Sequence, residues 1–192
     1  MANATDARAT AHQTRTQLDE ALDDVRKAPL DHGTVHLIVR RPVVETREVL
    51  DDAVFDVTEG LVGDSWHART RSSDGTADPL TQITLMNVRA IGAISPDTSR
   101  WPLAGDQLFV DLDLAGDHLP AGTRLRIGDT VLEVTSQPHL GCRKFVDRFG
   151  IDAMKWVNAP EGRALNLRGI YAKVVSSGRI RRGDVIERVP VA

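Results

Sequence analysis

The sequence is poor in cysteine, in aromatic residues and in long apolar runs. One cysteine among 192 residues excludes an internal disulfide, and a thiol that stays free suits a reducing compartment. No apolar run approaches the roughly 20 residues that a membrane-spanning helix needs. Residues 1–6 also lack the basic start and the apolar centre of a secretory signal. We therefore expect a cytoplasmic protein with no membrane partner.

A strong excess of charge of either sign is also missing. The net charge is -3 and charged residues make up 27% of the chain, so nucleic acid is not expected as a partner. A chain of 21.0 kDa is long enough for one substantial core and short for two domains with a linker. We expect one domain, residues 33–192, preceded by a helical extension, residues 1–32.

Alternating apolar and polar residues predict strands along most of this domain. The clearest pair lies at residues 124–135, where two runs of period two flank Gly128-Asp129, a dipeptide suited to a two-residue hairpin turn. Further extended candidates are residues 35–39, 43–50, 82–85, 108–112, 170–175 and 185–189. Many short strands, few helices and no alternating strand and helix rhythm predict a mixed, mainly β protein built as a barrel.

Three segments carry helical patterns. Leu18, Leu22 and Val25 form a narrow stripe, which fits packing either across the barrel or onto a second subunit of a homodimer. Deleting this extension is expected to leave the barrel folded. Asn87 is a candidate cap for a helix that reaches Ile94. Residues 143–157 repeat apolar side chains at helical spacing, whereas residues 60–78 and 158–166 are predicted to be loops.

Cys142 stands where a loop after the predicted hairpin meets the start of a helix. Free amide groups at a helix start favour a thiolate, and Arg143, Lys144 and Arg148 add positive charge nearby. The simpler interpretation is a small buried apolar residue, which is the usual state of a lone cysteine. The sequence pattern alone leaves both interpretations open.

Short motifs from Glu59 onward resemble those of the MOSC domain family, named for the C-terminal part of molybdenum cofactor sulfurases. They are Glu59-Gly60-Leu61-Val62-Gly63-Asp64 with His67, Gln82-Ile83-Thr84-Leu85, Leu125-Arg126-Ile127-Gly128 with Glu133-Val134-Thr135, and Arg168-Gly169-Ile170-Tyr171. The resemblance covers about residues 33–190, and the family has a cysteine at the place of Cys142. This chain has Gly141-Cys142 where many members have Pro-Cys, and Gly105-Asp106-Gln107 where many have Gly-Glu-Asn.

The resemblance implies a MOSC-type β-barrel that binds the molybdenum cofactor. Cys142 would then be a molybdenum ligand or a persulfide sulfur carrier, since a thiolate suits both roles. The implied activities are reduction of N-hydroxylated compounds and sulfur transfer. The candidate cofactor-binding residues are Arg143, Lys144, Arg163, Arg168, His67 and Asp64. Implied partners are an electron-donor protein or a cysteine desulfurase, and pyridoxal phosphate enters only through the latter.

Other functions remain open from the residues alone. A thiol hydrolase would pair Cys142 with a base such as His139, and a zinc site would use the same two residues. Asp111 and Asp113 offer two carboxylates, too few for a calcium loop. The main alternative is a non-catalytic interaction module in which Cys142 is structural.

Overall fold

The computed structural model describes residues 12–69 and 75–190. The strands in these ranges are β1 (Gly33–Arg40), β2 (Glu48–Leu50), β3 (Asp52–Asp56), β4 (Gly60–Leu61), β5 (Ile83–Asn87), β6 (Leu108–Asp111), β7 (Arg124–Ile127), β8 (Thr130–Val134), β9 (Ile170–Ser176), β10 (Gly178–Arg181) and β11 (Val185–Val189). The helices are α1 (Arg15–Glu20), α2 (Leu22–Val25), α3 (Trp66–Arg69), α4 (Val88–Ile94), α5 (Arg143–Asn158) and α6 (Pro160–Ala164), with short 3₁₀ helices at Pro79–Thr81 and Thr98–Ala104.

The described strands form a closed barrel with a small sheet beside it. Neighbours around the barrel are β1, β6, β5, β9, β8, β7 and β11, and β11 pairs back with β1. The pairing of β5 with β6 is parallel, whereas the pairs on either side of it are antiparallel. Strand β2 extends the sheet from β1, and β10, β3 and β4 form the second sheet. The mainly β, barrel-type fold class that the sequence predicts is confirmed.

Strands β1, β5 and β6 bury apolar side chains on both faces, because successive strand residues point to opposite sides of a sheet. One core fills the barrel, and the other lies between the barrel wall and the helices. The inward and outward residues are Ile38 and Val39 on β1, Leu85 and Met86 on β5, and Leu108 and Phe109 on β6. The second core fixes where α5 sits, and therefore where its first residues lie.

The predicted hairpin and the predicted cap are both confirmed. Ile127 pairs with Thr130 across Gly128-Asp129, and Gly128 adopts a φ of 55°, which glycine tolerates because it has no Cβ. The Asn87 side-chain oxygen accepts hydrogen bonds from the backbone N–H groups of Arg89 and Ala90 at 2.7 and 3.2 Å. These bonds satisfy two amides at the start of α4.

Three predicted segments differ from the structure. Residues 43–47 are a turn, so the strand predicted at 43–50 begins only at Glu48, and Glu45 has a φ of 64° that no strand accommodates. The loop predicted at 158–166 contains α6, whose first residue is Pro160, a favoured residue at that place. The loop predicted at 60–78 contains β4 and α3. Residues 70–74 of that loop and residues 1–11 of the extension lie outside the described residues.

Helix α5 follows the predicted apolar pattern, with Phe145, Phe149, Ala153 and Trp156 all buried in the second core. Gly150 has non-helical angles, φ 87° and ψ 166°, and it divides the helix in two. No helix in residues 12–69 and 75–190 has the length and apolar character needed to cross a membrane.

The predicted stripe of the extension packs on the same chain. Leu18, Leu22 and Val25 are buried in the second core, and α1 and α2 contact α5 and α4 respectively. This packing is the first of the two alternatives that the narrow stripe allowed. The extension therefore covers the outer face of the barrel together with the other helices.

Because Leu18 is fully buried, Leu18→Ala should lower the free energy of unfolding by about 2–5 kcal/mol. Leu30→Ala is the matched control, since Leu30 is 61% exposed and its loss should cost less than about 0.5 kcal/mol. Urea unfolding monitored by circular dichroism compares the two variants. Equal, small effects would mean that the extension contributes little to the core.

Candidate functional site

Cys142 is an exposed residue with a free thiol, and it lines a cavity of about 170 Å³, the thiol cavity. Four parts of the chain form the walls: the turn before β2, the segment before β6, the start of α5, and Arg168 before β9. The lining residues are Val44, Glu45, Arg47, Ala104, Gly105, Cys142, Lys144, Phe145, Arg148 and Arg168. An exposed thiol in a cavity contradicts the interpretation of Cys142 as a small buried residue.

Local hydrogen bonds hold the loop that carries Gly141 and Cys142, the thiol loop, against α5. Cys142 caps the helix, and its carbonyl oxygen accepts from the N–H groups of Phe145 and Val146 at 3.0 and 3.2 Å. The side-chain amide of Asn158 bonds both backbone groups of Gly141, accepting from N–H at 2.9 Å and donating to the carbonyl at 3.0 Å. The loop that presents the thiol is thus tied to both ends of one helix.

A buried ion pair between Arg168 and Asp106 forms one wall of the cavity. Nη1 of Arg168 donates to Oδ2 of Asp106 at 2.7 Å, Nη2 donates to the carbonyl of Ala104 at 2.9 Å, and the guanidinium lies 4.9 Å from the ring centre of Phe145. The side chains of Arg168 and Asp106 are 8% and 0% exposed. Breaking such a pair by removing one partner typically costs about 3–5 kcal/mol, so the guanidinium is firmly held.

His139 lies behind this wall as a neutral imidazole. Its Nδ1 is 3.7 Å from Oδ1 of Asp106, too far for a hydrogen bond, and its ring is 4.4 Å from that of Tyr171. Burial, and then the positive charges of Arg168 and Arg41, lower the pKa of His139 well below its ordinary value of 6.5. Burial, and then the charge of Asp106, raise the pKa of Tyr171. Both side chains are therefore uncharged at neutral pH.

The other side of the cavity is rich in positive charge. Among the described residues, three cationic side chains line this side, Arg47, Lys144 and Arg148, together with one carboxylate, that of Glu45, and Arg168 is the fourth cation of the cavity. Lys144 and Arg148 donate to the two oxygens of Glu45 at 3.2 and 2.6 Å, and these two cations lower the pKa of Glu45. Burial, and then repulsion by Arg148 and Arg41, lower the pKa of Arg47. On this side of the cavity, three cations thus share one carboxylate among the described residues.

The structure separates the four cations among the predicted cofactor-binding residues into three groups. Lys144 and Arg168 line the thiol cavity. Arg163 lines an adjacent cavity of about 240 Å³, together with His139 and Arg168. Arg143, adjacent to Lys144, is 90% exposed and faces Asp147 at 3.5 Å instead.

Asp64 and His67 are not among the residues that line the thiol cavity. The side chain of Asp64 is buried and accepts two bonds of 2.9 Å from the Arg41 guanidinium, which itself donates to the carbonyl of Gly105 at 2.6 Å. Asp64 thus supports the cavity wall at Gly105 through Arg41. His67 is exposed on α3, with its ring 4.4 Å from that of Trp66.

Sequence reasoning did not select Asp106, Glu45 and Arg47 as site residues. The departure at Gly105-Asp106-Gln107 was the one available signal for Asp106. Gln107 is also buried, and its side-chain oxygen accepts from the N–H of Thr84 at 2.8 Å, so this segment is fastened inside the barrel. For Glu45 and Arg47 the local pattern predicts a strand, which conceals their place beside the thiol.

The metal alternatives find no support in the described ranges. Within residues 12–69 and 75–190, no three His, Cys, Asp or Glu side chains are grouped to hold a metal ion. Asp111 pairs with Arg89 at 2.8 Å, and Asp113 accepts from the N–H of Ala115 at 3.0 Å. His139 and Cys142 line different cavities, which also weakens the hydrolase and zinc interpretations.

His139 gives a pH dependence with a definite sign. The unfolded chain takes up the imidazole proton near pH 6.5, whereas the folded chain resists it, so lowering the pH favours unfolding. The free energy of unfolding should fall between about pH 7 and 5.5 by at most about 1.4 kcal/mol per pH unit from this group. Denaturant titrations of His139→Gln should lose this slope. His36→Gln is the control because His36 is exposed, and an unchanged slope in His139→Gln would contradict the prediction.

Known proteins share this architecture. The chain superposes on the YuaD protein from Bacillus subtilis with a TM-score of 0.57 and 16% identity, over 83% of this chain and 97% of that one. YiiM from Escherichia coli gives a TM-score of 0.55 and 19% identity, over 83% and 71%. YiiM from Geobacillus stearothermophilus gives 0.51 and 13%, over 84% and 75%. At these identities the likeness shows the fold, and no curated protein matches the sequence.

The family is shown by the sequence itself. A family model described as the MOSC domain matches residues 80–187, more than half of the chain. This range includes the hairpin, the thiol loop, α5 and the Asp106 and Arg168 pair. The family is associated with binding of the molybdenum cofactor. The chain belongs to the MOSC domain family.

Proposed function

We propose that the protein binds the molybdenum cofactor in the cytoplasm, with Cys142 as molybdenum ligand or sulfur carrier. The observation that supports this most is the exposed thiol inside a cavity lined by four cationic side chains. A purely structural cysteine would be expected in the core, where free cysteines are usually found. A thiol that must meet a ligand has to be reachable, as this one is.

The side chains around the cavity fit such a cofactor. A thiolate is a soft ligand suited to a thiophilic metal, and arginine and lysine are the usual partners of phosphate oxygens. When bound, the cofactor supplies two-electron oxygen-atom chemistry at the metal. The chain itself presents Cys142 on a loop held by Asn158, places the buried Arg168 guanidinium at the cavity, and adds the exposed ammonium of Lys144. Phe145 and Val44 give the cavity an apolar part of its lining.

Two activities are compatible with this arrangement. In the first, the protein reduces N-hydroxylated compounds and receives electrons from a donor protein. In the second, Cys142 carries sulfur as a persulfide that a cysteine desulfurase, a pyridoxal phosphate enzyme, delivers. The thiolate serves as ligand in one and as nucleophile in the other, and the same exposed position suits both.

A non-catalytic interaction module is the second candidate. Val43 and Val44 are both exposed large apolar side chains, and Val44 borders the thiol cavity. Exposed apolar side chains next to a cavity favour a docked partner. In that case the barrel would deliver a partner protein, and the chain would hold neither cofactor nor persulfide.

Replacing Cys142 with serine should preserve the fold and remove the function. The residue is exposed, so the free energy of unfolding should fall by less than about 0.5 kcal/mol, which the thermal midpoint measures. The hard hydroxyl of serine replaces the soft thiolate ligand, so the function should be lost. Protein from a host that makes the cofactor should be compared for bound molybdenum, persulfide sulfur and reduction of an amidoxime with an artificial electron donor. Full molybdenum content and turnover in Cys142→Ser would refute the ligand role. Absence of cofactor and persulfide from the wild type would favour the interaction module.

Alanine variants of Lys144 and Arg143 test which cations hold the phosphate of the cofactor. Loss of a charged hydrogen bond should weaken retention by about 1.5–3 kcal/mol. Because Lys144 lines the cavity and Arg143 does not, Lys144→Ala should show this loss and Arg143→Ala should show little. Molybdenum retained after graded dialysis is the measurement. The same loss in both variants would mean that general positive charge, rather than contact, binds the cofactor.

A further inference from the structure

Glu45 occupies the positively charged side of the thiol cavity. Its two carboxylate oxygens accept from Lys144 at 3.2 Å and from Arg148 at 2.6 Å, so one side chain from the turn before β2 bridges two cations on α5. All three residues line the cavity that contains Cys142. The Glu45 side chain therefore stands where an anionic part of a ligand would meet these cations.

The turn before β2 is held by hydrogen bonds of residues on either side of Glu45, and not by Glu45 itself. Arg47 donates to the carbonyl of Pro102 at 3.1 Å, and Arg41 donates to that of Gly105 at 2.6 Å. Glu45 itself has a φ of 64°, a left-handed conformation that an ordinary side chain adopts at a cost. The side chains of Glu45 and Lys144 are 60% and 64% exposed, so that pair is weak, whereas Arg148 is 17% exposed and is also held by its bond to the carbonyl of Leu103 at 2.7 Å. The Glu45 carboxylate can therefore leave its two partners while the bonds of Arg41 and Arg47 keep the turn in place.

The charges of the cavity call for a stronger anion than Glu45. Asp106 neutralises Arg168, so that within residues 12–69 and 75–190 the lining leaves Arg47, Lys144 and Arg148 with the carboxylate of Glu45. A phosphate group brings about two negative charges and three acceptor oxygens in place of one charge and two oxygens. It can therefore satisfy more of these donors than Glu45 does.

We propose that Glu45 is a resident counter-anion, which a phosphate group displaces when it binds to Lys144, Arg148 and Arg47. The phosphate is that of the pterin cofactor or that of a free phosphate compound, and the first source rests on the proposed function. The exchange itself depends only on the cavity. Glu45 thus sets how strongly the site holds a phosphate, because each bound phosphate must replace its two ion pairs.

Cys142 provides the readout, because it is the single cysteine of the chain and lines the same cavity. The rate of its alkylation by iodoacetamide, a neutral reagent, is measured against rising inorganic phosphate at constant ionic strength set with sodium chloride. Phosphate in the cavity should protect the thiol. Half-protection should need about 2- to 30-fold less phosphate in Glu45→Gln than in the wild type, the range expected for the loss of two ion pairs that share one exposed carboxylate.

Matched variants separate this exchange from a change in overall charge. Asp147→Asn removes a carboxylate of α5 that lies between Lys144 and Arg148 in the sequence. Asp147 pairs with Arg143, and neither residue lines the cavity, so this variant should need the same phosphate concentration for half-protection as the wild type. Lys144→Ala and Arg148→Ala should lose protection, whereas Lys155→Ala, an exposed cation further along α5, should keep it. Equal half-protection in Glu45→Gln and the wild type would overturn the proposal. So would an equal gain in Asp147→Asn.

A second arm distinguishes the source of the phosphate. Protein from a host that makes the cofactor is dialysed, and its bound pterin is compared between the wild type and Glu45→Gln. Greater retention in Glu45→Gln supports the exchange with the cofactor as its partner. Tighter binding of inorganic phosphate by Glu45→Gln, with no pterin bound to either protein, supports the exchange with a free phosphate compound. In that case the proposed function fails, while the role of Glu45 as a counter-anion stands.

Discussion

The buried pair of Arg168 and Asp106 is the interaction on which the thiol cavity depends. It joins the segment before β6 to the segment before β9, and Arg168 also contacts α5 through the Phe145 ring. A buried charge must remain paired, since an unpaired one costs several kcal/mol. The guanidinium therefore has one available position, and the chain segments around it have little freedom to separate. One wall of the cavity is rigid for this reason.

The opposite wall is held by much weaker forces. Glu45 and Lys144 are exposed, so solvent screens their attraction to each other, and Glu45 reaches the half-buried Arg148 from an unfavourable backbone conformation. A site that combines a fixed guanidinium with a displaceable carboxylate can be specific and still admit its ligand. The Arg168 side of the cavity fixes the orientation of the bound ligand, and the Glu45 side sets how readily the ligand enters.

Much of the fold follows from patterns within a few residues, but the cavity does not. The hairpin at Gly128-Asp129 and the cap at Asn87 are local, and so the sequence predicts them well. Asp106 and Arg168 are 62 residues apart, and Glu45 and Lys144 are 99 apart. No periodicity encodes a pairing over such a distance, because it arises only when the barrel closes. Knowledge of the family supplied Cys142, but not the carboxylates that arrange the cations around it.

Helix geometry explains why only one of two adjacent cations reaches the thiol cavity. Residues four apart share a helix face, so Lys144 and Arg148 point together toward Glu45, while Arg143 pairs with Asp147 on another face. This spacing is visible in the sequence once the start of α5 is known. A list of nearby positive charges cannot make the distinction, since Arg143 is as close to Cys142 along the chain as any of them.

The glycine before Cys142 shows how this chain holds its thiol without the proline that many members have. A proline would fix the backbone of the loop but could not donate a hydrogen bond. Here the N–H of Gly141 donates to Asn158, and a Cβ built on Gly141 would lie 3.0 Å from Val157, a tighter contact than side chains normally make. The loop is therefore fixed by contact with the end of α5 rather than by its own covalent geometry. Because α5 is itself held by the second core, the position of the thiol depends on packing outside the barrel.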